Sequence, residues 1–107
     1  MTTTPAPPLH ADWADLTLDE DPDRGRFNLL MGPTYLGFVG YTVREDGVVV
    51  LQHTIIAEQY GRQGYARALV TLVLDRLRER GVRIVPECSY VQDYLRRFPQ
   101  YDDLVTA

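Results

Sequence analysis

Residues 61–66 read Gly61-Arg62-Gln63-Gly64-Tyr65-Ala66 and lie between an apolar, strand-like run and an amphipathic, helix-like run. Such a turn leaves the first backbone N–H groups of the helix without partners, and their partial positive charge favours an anion such as pyrophosphate. Gly64 has no Cβ, so the backbone there can approach a ligand closely. Arg62 and Arg67 add full positive charges beside the turn. The pattern predicts an anion site, with a plain strand-to-helix connection as the alternative.

The run after the turn has the spacing of an amphipathic helix. Its apolar residues recur on one face, at Ala66, Leu69, Val70, Val73 and Leu77. Gly81 is a natural end for this helix, because glycine tolerates the left-handed conformation that terminates many helices. Before the turn, residues 26–31, 35–44 and 48–56 read as three strands, the last two joined by an Asp-Gly hairpin signal.

A fourth strand and a second helix follow. Residues 82–85 form a short apolar strand that Pro86 ends. Ser89 then opens a helix, with Gln92 three residues later completing a capping box. The order β-β-β-α-β-α predicts an α/β (α+β) sandwich with a mixed, mostly antiparallel sheet and helices packed on it. The crossover through the first helix makes the third and fourth strands parallel.

Length and composition describe one small globular domain. The chain has 107 residues, of which 45% are hydrophobic. We interpret residues 1–23 as a disordered, acidic N-terminal segment and residues 24–107 as the folded domain. No run is long enough to cross a membrane and no signal peptide is visible. The single Cys88 excludes an intramolecular disulfide and a cysteine-based metal cluster within these residues, so we expect no metal site and a reducing, cytosolic setting.

The charge is unevenly distributed along the chain. The net charge is −4, and every one of the 11 basic residues is arginine. Between Arg62 and Arg97, eight arginines stand against four acidic residues, which suits a small phosphate-rich ligand. The overall acidity disfavours a nucleic-acid partner.

Two segments resemble the GNAT acetyltransferase superfamily. The first is His53-Thr54-Ile55-Ile56 leading into Gly61–Ala66, and the second is Pro86-Glu87-Cys88-Ser89-Tyr90-Val91 followed by residues 99–105. The resemblance covers roughly residues 24–105. The second segment is similar to a small branch of this superfamily, the YjdJ-like domains.

The resemblance implies that acetyl-coenzyme A is the cofactor. In such proteins its pyrophosphate sits on the helix N-terminus, and this role carries over to the residues Arg62, Gln63, Gly64, Tyr65, Ala66 and Arg67. The pantetheine arm follows the preceding strand, which implies Thr54, Ile55 and Ile56. The strand after the helix splays away and opens a cleft near Cys88. Two departures stand out. Gly61 replaces the usual Gln or Arg, and Leu95 stands where many members have a tyrosine acid.

Cys88 and His53 are the candidate catalytic residues. Cys88 lies just before a helix terminus, where a thiol pKa can fall, and it either accepts the acetyl group or supports transfer by its polarity. The alternative is a small residue packed at a strand end. His53 has the side chain to deprotonate an amine near neutral pH, or it is a half-buried, hydrogen-bonded histidine. Tyr90 and Tyr94, one helical turn apart, cover the cofactor or the core, and core packing is the preferred reading.

These expectations combine into two functional hypotheses. The first is an acetyl-coenzyme A-dependent N-acetyltransferase that acts on a primary amine, small molecule or protein, by direct attack in a ternary complex. The second is a coenzyme A-binding module with little catalysis, acting as a regulatory or partner-docking domain. An uncovered sheet edge in so small a domain also predicts pairing into a homodimer.

Overall fold

A computed structural model describes residues 11–106, with the backbone alone at residues 11 and 12. Residues 1–10 of the segment that we interpreted as disordered lie outside this range. The described elements are β1 (Leu16–Asp21), β2 (Arg26–Met31), β3 (Thr34–Val43), β4 (Val49–Ile56), α1 (Tyr65–Glu79), β5 (Ile84–Pro86) and α2 (Ser89–Arg97). Short 3₁₀ helices cover Ala11–Asp15, Glu58–Tyr60 and Pro99–Leu104.

The strands form one sheet in chain order, β1-β2-β3-β4-β5. The first four strands are an antiparallel meander, and β5 pairs with β4 in parallel. The predicted fold class, a mixed and mostly antiparallel sheet with helices packed on it, is confirmed. The parallel pairing across the helical crossover is confirmed as well.

Strand β1 is absent from the predicted order. The interpretation of residues 1–23 as a disordered acidic segment is wrong for Leu16–Asp21, which pair with β2 along their whole length. Leu18 enters the core, whereas Thr17 and Asp19 are exposed, so the strand alternates as an edge strand should. Acidic residues have low strand propensity, so the short alternation of buried and exposed residues in this segment did not predict a strand. Trp13, just before β1, is buried too.

Both helices lie on the same face of the sheet. Side chains from β2, β3 and β4 and from the two helices share one core, whose fully buried members include Phe27, Leu29, Val39, Leu51, Leu69, Val73, Leu77 and Val91. The opposite face carries the cross-strand pair Phe38 and Ile55, and Ile55 is 50% exposed. No helix within residues 11–106 has the length and apolarity needed to cross a membrane.

The two helices begin and end in different ways. Gly81 takes a φ of +67° after α1, and the N–H of Val82 donates to Leu77 O at 3.0 Å, which completes a Schellman motif. The predicted end of this helix is therefore confirmed. The capping box predicted at Ser89 is wrong. Cys88 is the N-cap of α2, without a side-chain cap, and the Gln92 amide donates to Pro86 O at 2.9 Å instead.

Candidate active site

The turn between β4 and α1 is built from unusual backbone conformations. Gly64 is the N-cap of α1 with a φ of +84°, and Arg62 takes a φ of +62°, a left-handed value that a side chain disfavours. No side chain caps the start of α1. The first N–H groups of the helix therefore remain available to a ligand or to water.

A cavity of about 250 Å³ opens beside this turn. A Cβ added at Gly64 would meet no atom within 4 Å, so the backbone there faces open space. Arg62 and Arg67 contribute the positive charges of the wall. Its lining consists of Ile56, Tyr60, Gly61, Arg62, Gly64, Tyr65, Ala66, Arg67 and Tyr90. Positive side chains, an uncapped helix end and a bare glycine together make a fitting site for a phosphate group.

Strands β4 and β5 separate next to this cavity. Their parallel pairing ends where Leu51 meets Pro86. The carbonyl of Leu51 then accepts from the N–H groups of both Glu87 and Cys88, each at 3.0 Å. Gln52 is the extra residue of a β-bulge at the same point, since Leu51 pairs with Tyr41 and His53 with Gly40. A bulge bends a strand and increases its twist, so it turns the end of β4 away from β5.

Cys88 lies in the wedge between the separated strands. Its side chain is 6% exposed, and its Sγ lies 3.2 Å from the Oγ1 of Thr54 on β4, with either atom able to donate. Because Cys88 is also the N-cap of α2, the chain holds the thiol at a helix start and beside a hydroxyl. The structure thus brings together the candidate catalytic cysteine and one candidate cofactor-binding residue.

A second cavity, of about 410 Å³, surrounds this pair. Its lining consists of Gln52, His53, Thr54, Ile55, Glu87, Cys88, Ser89 and Tyr90. His53 is exposed on the face of the sheet opposite the helices, and among residues 11–106 no hydrogen bond joins it to Cys88. Both candidate catalytic residues therefore border one open space, and no hydrogen bond between them is found in the described part of the chain. The half-buried, hydrogen-bonded reading of His53 is wrong.

The two cavities differ in charge and share one wall. Counting the described residues alone, the cavity beside the turn has two guanidinium groups and no carboxylate, whereas the cavity around Cys88 has the carboxylate of Glu87 and no guanidinium. Tyr90 lines both cavities and is 37% exposed. Partial burial raises the pKa of its phenol, while Arg67 and Arg97 act in the opposite direction. Tyr90 therefore stays protonated at neutral pH.

Sequence reasoning assigned Tyr90 and Tyr94 the same preferred role, and the structure separates them. Tyr94 is buried and its hydroxyl lies 2.7 Å from the Oγ1 of Thr71 on α1, so core packing is correct for Tyr94 and wrong for Tyr90. Tyr60 also lines the first cavity and was missed, since nothing in its local pattern marks it. Gln63 belongs to the turn but does not line either cavity.

Residues 26–104 match a family model described as GCN5-related N-acetyl-transferase. The chain belongs to this family. The match spans most of the chain and includes the turn, the wedge and both cavities. Members of the family transfer acetyl groups and generally use acetyl-coenzyme A as the donor. No curated protein sequence matches the chain significantly.

Solved structures of GCN5-related N-acetyltransferases share the fold. A GCN5-like protein from Staphylococcus aureus, solved by NMR, superposes with a TM-score of 0.64 at 20% identity, covering 88% of this chain and 91% of that chain. Ribosomal-protein-alanine N-acetyltransferase from Brucella melitensis biovar Abortus 2308 gives a TM-score of 0.51 at 20% identity, covering 77% of this chain and 61% of the other. At this identity the likeness concerns the fold alone.

Proposed function

We propose that this chain transfers an acetyl group from acetyl-coenzyme A to a primary amine, by direct attack of the amine. The observation that carries the proposal is the cavity at the start of α1, with its uncapped N–H groups, the bare backbone of Gly64 and the two arginines Arg62 and Arg67. The cavity around Cys88 is its neighbour, because Tyr90 borders both spaces.

The cofactor-binding roles follow from these positions. Arg62, Gly64, Tyr65, Ala66 and Arg67 line the smaller cavity and would hold a pyrophosphate through backbone N–H groups and side-chain charge. Gln63 stays in this set because it belongs to the same turn, although it does not line the cavity.

The neighbouring strand would hold the pantetheine arm. Ile56 borders the smaller cavity, and Thr54 and Ile55 border the larger one. Beyond Leu51, none of the described residues pairs with β4 on its β5 side, so the strand can offer backbone hydrogen bonds to an extended ligand.

The chemistry requires a neutral amine, a bond exchange at one carbon and an acceptor for a proton. When bound, acetyl-coenzyme A supplies an activated thioester carbonyl. A C–N bond forms as the C–S bond of the thioester breaks, the amine gives up a proton, and coenzyme A leaves as its thiolate. His53 is exposed at the mouth of the larger cavity and would take this proton. Cys88 would support the transfer by its polarity, with its thiol oriented by Thr54.

Cofactor binding is the first test. Coenzyme A should raise the melting temperature of the protein, and Arg67→Ala should weaken binding by roughly 10-fold, about 1.4 kcal/mol, through loss of a charge-assisted contact. Arg24→Ala is the matched control, because the Arg24 side chain is 75% exposed at the distant β1–β2 turn. Calorimetric titration measures both variants. An absence of stabilisation by coenzyme A and by acetyl-coenzyme A alike would contradict the proposal.

Turnover is the second test. Steady consumption of the thioester should depend on an amine, in a panel that includes lysine peptides and polyamines. Binding without turnover for any amine would instead favour a coenzyme A-binding module. One observation supports that second candidate: Leu95, which stands at the position of the usual tyrosine acid, is buried, and Tyr94 beside it is hydrogen-bonded to Thr71.

We also infer a finer placement of the chain. The segments Pro86–Val91 and Pro99–Val105 support membership of the YjdJ-like branch, in which the domain is small. A reducing, cytosolic setting suits Cys88, which is a free thiol at the centre of the candidate site.

A further inference from the structure

The larger cavity is lined by a carboxylate, that of Glu87, which has no role in the proposed acetyl transfer. Glu87 precedes Cys88 directly, is exposed and lines the cavity around the thiol. Among residues 11–106 it takes part in none of the ion pairs, although five other acidic residues do. Its charge is therefore free to meet a ligand.

Resting on the proposed acetyl transfer, we propose that Glu87 selects the acceptor: an aliphatic primary amine that carries a second ammonium group a short distance from the reacting one. The acceptor cavity has one carboxylate and no guanidinium, whereas the adjoining cofactor cavity has two guanidinium groups and no carboxylate. Each cavity thus matches the charge of one ligand and repels the other ligand.

The need for a second charge follows from the reaction. The nitrogen that attacks the carbonyl must be neutral, so it presents no positive charge to Glu87 at that moment. Glu87 lines the same cavity as Cys88, so its carboxylate can attract a second charged group of the same acceptor molecule. A second ammonium, which stays protonated throughout, keeps its attraction to Glu87 while the first amine reacts.

The test is a binding titration with 1,4-diaminobutane, a linear diamine, followed by the NMR shifts of backbone amides near Glu87. It is run on the full chain with and without coenzyme A, so that it does not depend on turnover. Glu87→Gln should weaken diamine binding by about two- to fivefold, as expected for an exposed ion pair. Glu45→Gln, which removes the same charge from the exposed β3–β4 hairpin, should leave it unchanged.

Two further measurements, at raised ionic strength and with a neutral amine, test whether diamine binding depends on the charge of Glu87. Raising ionic strength should weaken diamine binding to the wild-type protein and affect Glu87→Gln much less. Aniline, which is uncharged at neutral pH, should bind the wild-type protein and Glu87→Gln equally. Equal diamine affinity of wild-type protein and Glu87→Gln overturns the inference. If the wild-type protein neither binds coenzyme A nor transfers acetyl groups, the proposed function is contradicted. The diamine titration is a separate measurement and still tests the role of Glu87.

Discussion

At the scale of single residues, Arg62 concentrates backbone strain at the candidate cofactor cavity. Among residues 11–106 it is the one residue other than glycine with a positive φ. Holding such a conformation costs on the order of 1–3 kcal/mol, which the surrounding structure must offset. Gly61, next to it, has a separate restriction, because an added Cβ would lie 3.3 Å from Glu58 O. A side chain at this position would therefore require the carbonyl of Glu58 to shift by a few tenths of an ångström.

Cys88 is the residue whose role is most directly testable. If the amine attacks directly, Cys88→Ser should keep acetyl transfer within about threefold of wild type, because serine is small and still meets Thr54. Initial rates measure this, and mass spectrometry of wild-type protein with acetyl-coenzyme A should show no acetyl adduct on Cys88. Coenzyme A binding is the control for folding. Abolished turnover with intact binding, together with an adduct on the wild-type thiol, would establish a covalent route.

At the scale of elements, β1 depends on charged contacts with α1. Glu20 forms a bidentate pair with Arg80 at 2.5 and 2.8 Å, and Arg76 lies 3.9 Å away. The hydrogen bond from Arg80 holds the pKa of Glu20 below its ordinary value of 4.5, although burial opposes this. These contacts offset the poor strand propensity of the acidic segment.

The pair makes stability dependent on pH. Because the pKa of Glu20 is lower in the folded state, its contribution is complete above about pH 4.5 and disappears as pH falls through the lowered value. Glu20→Gln should therefore cost roughly 1 kcal/mol at neutral pH, or about 5 °C in melting temperature, and almost nothing in strong acid. Thermal unfolding across pH measures the difference, with Glu45→Gln as control. A deficit that persists unchanged at low pH would refute the assignment to Glu20.

The elements also show what the sequence can predict. Strong periodicity and turn signals located β2, β3, β4 and α1 within one or two residues, because these segments bury whole faces. The sequence does not contain the non-local contacts. Glu20 pairs with Arg80, the C-cap residue of α1, and Leu51 O accepts from the N–H groups of Glu87 and Cys88 at the start of α2. That contact makes Cys88 the N-cap, which is why the capping box failed.

The sequence also predicted part of the candidate site. The glycine turn was predicted from its backbone chemistry and Cys88 from its place before a helix start, and the resemblance to the superfamily includes both. The shared wall formed by Tyr90 was missed, since one helical turn separates it from Tyr94 and spacing alone cannot tell which tyrosine faces the cleft.

At the scale of the whole molecule, the C-terminal segment makes hydrogen bonds with both α1 and β5. Tyr101, in the last 3₁₀ helix, donates to the carboxylate of Asp75 on α1 at 2.7 Å. Val105 then bridges to Ile84 of β5, and the N–H of Thr106 donates to Ile84 O at 3.0 Å. Burial raises the pKa of the Tyr101 phenol, and the Asp75 carboxylate raises it further, so the hydroxyl keeps its proton.

Removing the Tyr101 hydroxyl tests how much its hydrogen bond to Asp75 contributes to stability. Tyr101→Phe should lower the free energy of unfolding by about 1 kcal/mol, the usual net contribution of one hydrogen bond. Chemical denaturation measures it, and Tyr35→Phe is the matched control because Tyr35 is 45% exposed on β3. Coenzyme A affinity should stay the same in both variants. If the two variants are equally stable, the contact between Tyr101 and Asp75 contributes nothing to folding.

The short parallel pairing of β4 with β5 has a consequence for the order of folding. The meander β1–β4 joins strands that are close in sequence, whereas β5 must find Val49, Val50 and Leu51 across the whole of α1. Contacts between residues distant in sequence carry a larger entropic cost of loop closure and form late. The wedge around Cys88 exists only once those contacts are made. We therefore expect the candidate catalytic cleft to assemble after the hairpins of the β1–β4 meander.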